Sequence, residues 1–87
     1  MKVLKTLTLF DGPVIQRPGE LKSKKATGPH VVHLAVLTEV GDRFVVRDAF
    51  VPGDQGEKMA EEVGIHGQVS DENFARAWFP EMNRPSL

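Results

Sequence analysis

Three histidines, His30, His33 and His66, are the side chains in this 87-residue sequence best suited to moving protons or ligating a metal near neutral pH. His30 and His33 form an H-x-x-H pair, to which the fold could bring His66 as a third zinc ligand. The surrounding residues read as a strand, however, and positions three apart on a strand point to opposite faces. The pair therefore cannot chelate one ion, and no metal or other cofactor is expected. For acid–base chemistry the candidate is His33, provided that an Asp or Glu of the neighbouring strand faces it. No nucleophile or phosphate loop accompanies it, since G-x-S-x-G, P-loop and G-x-G-x-x-G patterns are all missing. A domain of this size also has little room for a substrate pocket of about 300–1,000 Å³. The expectation is a protein that is not an enzyme.

Charge carries more information than any motif. Residues 1–47 hold eight Lys or Arg against four Asp or Glu, and residues 48–87 hold three against eight, so a net charge of −1 conceals a basic half and an acidic half. Arg17, Lys22, Lys24 and Lys25 surround a lone Glu20 in a stretch without apolar periodicity, read as a flexible basic loop over 17–29. Together with Arg43 and Arg47 on the strands, such a loop suits phosphates in a sequence-independent way. Against that, Phe44 and Phe50 are assigned to a buried face, which leaves no aromatic for base stacking, and the pI of 6.3 is low for a dedicated nucleic-acid binder. In the acidic half, Glu57, Glu61, Glu62, Asp71 and Glu72 are either solvated helix faces or a negative surface for a basic partner. Trp78 belongs to a core or an interface, whereas its neighbour Phe79 must face elsewhere and, with Met82 and Leu87, can make an exposed apolar patch beside Arg76 and Arg84.

A very small fold must position these groups. The length allows one hydrophobic core, and 40% apolar with 26% charged residues is a globular composition, so a single domain over 1–87 is expected. With no cysteine, disulfides, thiolate metal sites and cysteine nucleophiles are excluded, in keeping with a cytoplasmic location. No apolar run reaches membrane-spanning length. The opening MKVLKTLTLF is too interrupted for a signal peptide, and the chain reads as a complete small gene product.

The fold class is α+β: a small antiparallel sheet of three to five strands with two short C-terminal helices packed on one face or end. Residues 3–10 read as a first strand that Asp11-Gly12-Pro13 breaks, with 14–16 as a short return strand. A central hairpin over about 30–51 turns at Gly41-Asp42. Even-with-even pairing would gather Val32, Leu34, Val36 and Val40 with Phe44, Val46 and Phe50 on one face, so a three- or five-residue connection or a bulge is expected. Asp54 and Glu57 read as a capping box for a helix over about 55–63, closed by Gly64 with Ile65 in the accompanying contact. Ser70 reads as the N-cap of a helix over about 71–79, with Val69 and Phe74 as a hydrophobic staple, Phe74 and Trp78 on one face, and Pro80 as its stop. An irregular tail covers 81–87.

These features lead to a small non-enzymatic protein that binds another macromolecule. The first expectation is a protein-binding inhibitor or adaptor, of the kind phages or mobile elements direct against host nucleic-acid machinery, with contacts through Glu57, Glu61, Glu62, Asp71, Glu72, Trp78 and Phe79. The alternative is single-stranded nucleic-acid binding through Arg17, Lys22, Lys24, Lys25, Arg43 and Arg47. No membrane partner is expected, and a homodimer through the edge of the first strand fits either reading.

Overall fold

The structure is a computed structural model and describes residues 1–13 and 30–83. Strands β1 (Lys2–Pro13), β2 (His30–Val40), β3 (Arg43–Pro52) and β4 (Gln68–Val69) form one antiparallel sheet in the order β1-β2-β3-β4. A 3₁₀ turn over Gly56–Met59 runs into helix α1 (Ala60–His66), and helix α2 (Glu72–Trp78) is followed by a second 3₁₀ turn over Pro80–Asn83. The expected α+β class is therefore observed. Residues 14–16, the basic stretch 17–29 and the tail beyond Asn83 lie outside the described residues.

Turn chemistry decides how the hairpin pairs. Gly41 has a φ of 64° and Asp42 does not share the positive φ, the pattern of a two-residue turn with glycine at its first central position. Val40 then pairs with Arg43, and the register continues through Leu37 with Val46 and Val32 with Val51. Even residues of β2 thus oppose odd residues of β3, which corrects the even-with-even register and the longer connection expected from the hydrophobic pattern. Replacing Gly41 with valine should lower stability by about 1–2 kcal/mol, the cost of forcing a β-carbon into the left-handed region. A shift of the urea midpoint at unchanged slope would measure it.

This register spreads apolar side chains over both faces of the sheet. On the first face Val32, Leu34, Val36 and Val51 are buried beneath Val63 of α1, with Val3, Met59 and Ala60 at the margin. On the second face Ala35, Leu37 and Val46 are buried beneath Ala75 of α2 and Phe79, with Leu9, Phe44, Trp78 and Met82 around them. The helices therefore cover opposite faces rather than one, and the central strand is buried from Leu34 through Thr38. Each fully buried aliphatic side chain contributes about 1.5–3 kcal/mol. Thr38, the one polar residue in that run, donates its hydroxyl to the Val45 carbonyl at 3.0 Å.

Several local expectations are corrected by packing. Asp11, Gly12 and Pro13 continue β1, paired with Val32, Val31 and His30, because an edge strand tolerates residues that a central strand would reject. Register shifts between Val3 and Lys5 and between Thr8 and Phe10 mark two bulges in β1. The first helical run starts after Gln55 without any side-chain cap, so the Asp54–Glu57 capping box does not form. Gly64 lies inside α1 instead of ending it, since a β-carbon there would sit 2.9 Å from Thr38 Cγ2 where the helix presses on the sheet. Ile65 is exposed. Asp71, not Ser70, caps α2 by accepting from the backbone N–H groups of Asn73 and Phe74. Val69 and Phe74 are both exposed, so no staple forms between them. Glu81 to Asn83, expected to be irregular, belong to the last 3₁₀ turn.

Candidate functional site

Asp48 is the most heavily engaged side chain of the sheet. It lies on the second face of β3, paired with Ala35 of β2 and Gln68 of β4, and only 3% of it is exposed. Its Oδ2 accepts from His33 Nε2 at 2.6 Å and from Gln68 Nε2 at 3.0 Å, while Oδ1 accepts from the Ser70 hydroxyl at 2.5 Å. A buried carboxylate survives only with such partners. Burial alone would raise its pKa, but the hydrogen bonds from Ser70, His33 and Gln68 and the attraction of His33 together hold it below the ordinary aspartate value.

The partner required of His33 is therefore present, although the order of the groups is not that of an acid–base machine. Ser70 donates to Asp48 and not to His33, so nucleophile, base and orienting acid are not arranged in sequence. What Asp48 does is fix the His33 ring. That ring lies flat on Phe50, with centroids 4.4 Å apart and planes 20° apart. In the register, Phe10 of β1 stands opposite His33 and Phe50 of β3 stands opposite it on the other side. Phe10, His33 and Phe50 thus share one rung of the register across three adjacent strands; the Phe10 ring leans over Gly12, and 39% of Phe10 and 64% of Phe50 remain exposed against 22% of the His33 side chain. This corrects the assignment of Phe50 to a buried face, which followed from the wrong register.

The other histidines go elsewhere. His30 pairs with Asp11, and His66 stands 4.0 Å from Glu62 within α1. His30 and His33 point to opposite faces, as the strand geometry requires, and among the described residues no cluster of His, Asp or Glu has the makings of a metal site.

The acidic and aromatic residues expected to carry protein binding do not gather on one surface. Phe79 is 1% exposed and forms part of the core, which removes it from any surface patch, and Trp78 is half-buried beside it. Glu57, Glu61 and Glu62 accompany α1 on the first face, whereas Asp71 and Glu72 accompany α2 on the second. Glu57 and Glu61 line a hollow of about 480 Å³ together with Lys2 and Lys58, so the charge there is mixed. Asp71 is a helix cap, and Glu72 binds Arg76 at 2.7 Å. Of the basic residues, Arg47 donates to the Gly67 carbonyl at 2.7 Å, and Arg43 sits at the turn end of the hairpin, far from His30. Arg17, Lys22, Lys24 and Lys25 are outside the described residues.

Comparison with known proteins adds nothing to this geometry. No family model, curated protein or solved structure matches the chain. Among the described residues, no helix is long and apolar enough to cross a membrane.

The row could have been found in the sequence only through the register. Phe10, His33 and Phe50 are separated by more than fifteen residues each, and nothing local links them. Gly41-Asp42 held the key, because accepting a strict two-residue turn places Phe50 opposite His33.

Proposed function

We propose that this domain is a non-enzymatic binding module whose ligand is a single-stranded nucleic acid, received on the Phe10–His33–Phe50 rung. The exposure of Phe10 and Phe50 at the two ends of that rung carries the reading. An exposed ring face on a sheet is a place where an unpaired base stacks, at about 1–3 kcal/mol per base and with little sequence preference. His33 supports this site, because Asp48 holds its ring parallel to and stacked on one face of Phe50, which itself remains 64% exposed. Backbone attraction would come from Arg17, Lys22, Lys24 and Lys25, whose segment is joined in sequence to Pro13 and His30, three residues from Phe10 and from His33. The protein-partner reading loses support because its acidic residues divide between two faces and Phe79 is buried.

Anisotropy titrations with labelled single- and double-stranded oligonucleotides at low and moderate salt test the proposal. The expected result is preference for the single strand, affinity that falls steeply with salt, and about five- to hundredfold weaker binding by Phe50→Ala with an unchanged circular-dichroism spectrum. Absence of binding at low salt would return the function to a protein partner.

A further inference from the structure

A second aromatic pair, exposed Phe74 and half-buried Trp78, lies on the same face as the rung. Phe74 is 62% exposed, and its ring is stacked on Trp78 with centroids 5.9 Å apart and planes 18° apart. The course of α2 decides which way this pair looks. The chain enters α2 from Ser70, bound to Asp48 on β3, and leaves it toward Glu81, which pairs with Lys5 on β1. Asp48 is level with Ala35, and Lys5 is level with Leu37. Helix α2 therefore crosses the second face above the Ala35 and Leu37 rungs, next to the His33 rung. Ala75 points down into the sheet. In a right-handed helix with 100° between residues, Phe74 and Trp78 then fall on the flank turned toward His33, and Phe79 falls on the flank turned toward Phe44. The burial of Phe79 beside Phe44 agrees with this placement.

We infer that Phe74, backed by Trp78, is a second stacking position for the same single strand, so that the site is a corner with aromatic rings on both its sheet floor and its helix wall. This rests on the nucleic-acid reading above and extends it. A strand laid on the rung meets the α2 flank as it continues, and a ligand that turns from floor to wall must be an unpaired chain of several nucleotides rather than a duplex or a mononucleotide. Of the neighbouring carboxylates Glu72 is offset by Arg76, whereas Asp71 and Asp48 keep their charge, so a strand stacked on these rings must turn its phosphates away from them.

Trp78 provides the readout, because it is the single tryptophan in a chain without tyrosine. The full chain would be titrated with oligothymidylates of about 4 to 16 nucleotides, the range of site sizes for small sheet domains. Binding should change Trp78 emission, and Phe74→Ala should weaken it about five- to hundredfold while the circular-dichroism spectrum stays unchanged. If Phe50→Ala weakens binding but Phe74→Ala does not, and Trp78 emission stays constant, the helix wall is refuted and the sheet rung stands. If the native chain binds no oligothymidylate, both fall together.

Discussion

Replacing Phe79 with alanine is expected to lower the unfolding free energy by about 3–5 kcal/mol, which is the usual loss for a large aromatic taken from a closed core. The side chain is 1% exposed and packs with Ala35, Leu37, Val46 and Ala75. It follows the last residue of a seven-residue helix that has too few turns to hold itself in place. Removing Phe79 therefore frees α2 as well as opening a void. A domain of this length has only about 4–13 kcal/mol of stability in total, so the variant should lose a large share of it. Urea denaturation followed by circular dichroism measures the loss. A change below about 0.5 kcal/mol, as for a surface residue, would mean that Phe79 faces outward.

Asp48→Ala should be comparably damaging, at about 3–5 kcal/mol, because truncation leaves the donors of His33, Ser70 and Gln68 without their common acceptor. The same carboxylate gives the fold an acid limit. Its pKa is lower in the folded protein than in the unfolded chain, so on acidification the unfolded chain takes up the proton first. The stability contributed by Asp48 is complete above the unfolded value of about 3.9 and is lost as pH falls below it through the folded value. Denaturation curves collected between neutral pH and about pH 2 should show this loss in the native protein and a shallower slope in Asp48→Asn. Equal slopes would place the acid sensitivity in other carboxylates. Since Asp48 also orients His33, the asparagine variant should weaken oligonucleotide binding even where it remains folded.

The existence of the elements was legible in the sequence, and their mutual orientation was not. Gly41-Asp42 announced the hairpin, Asp71 and Glu72 announced the start of α2, and the four-residue spacing of Phe74 and Trp78 announced their stack. The register failed because alternation is informative only when one face of a strand is wet. In β2 both faces are covered from Leu34 to Thr38, so every choice of partner looked partly apolar, and grouping all the large residues together seemed best. Phe44 and Phe50 show the consequence. They share a face, yet Phe44 lies beneath the helical layer while Phe50, six residues on, lies beyond its reach. His33 and its need for a neighbouring carboxylate could be stated in advance, but Gln68 and Ser70 reach Asp48 from 20 and 22 residues away, and only the packing of α1 and α2 brings them there.

The path between the two helices gives the sheet unequal sides. From α1 on one face to α2 on the other, the chain must pass around β3, where Gln68 and Val69 pair with Asp48 and Arg47 and the Ser70 N–H binds the Val46 carbonyl. Among the described residues, β1 has no strand on its outer side. One margin is thus interrupted at Arg47 and Asp48, while β1 presents the longer continuous edge. Two copies can join through it about a twofold axis, each satisfying the other.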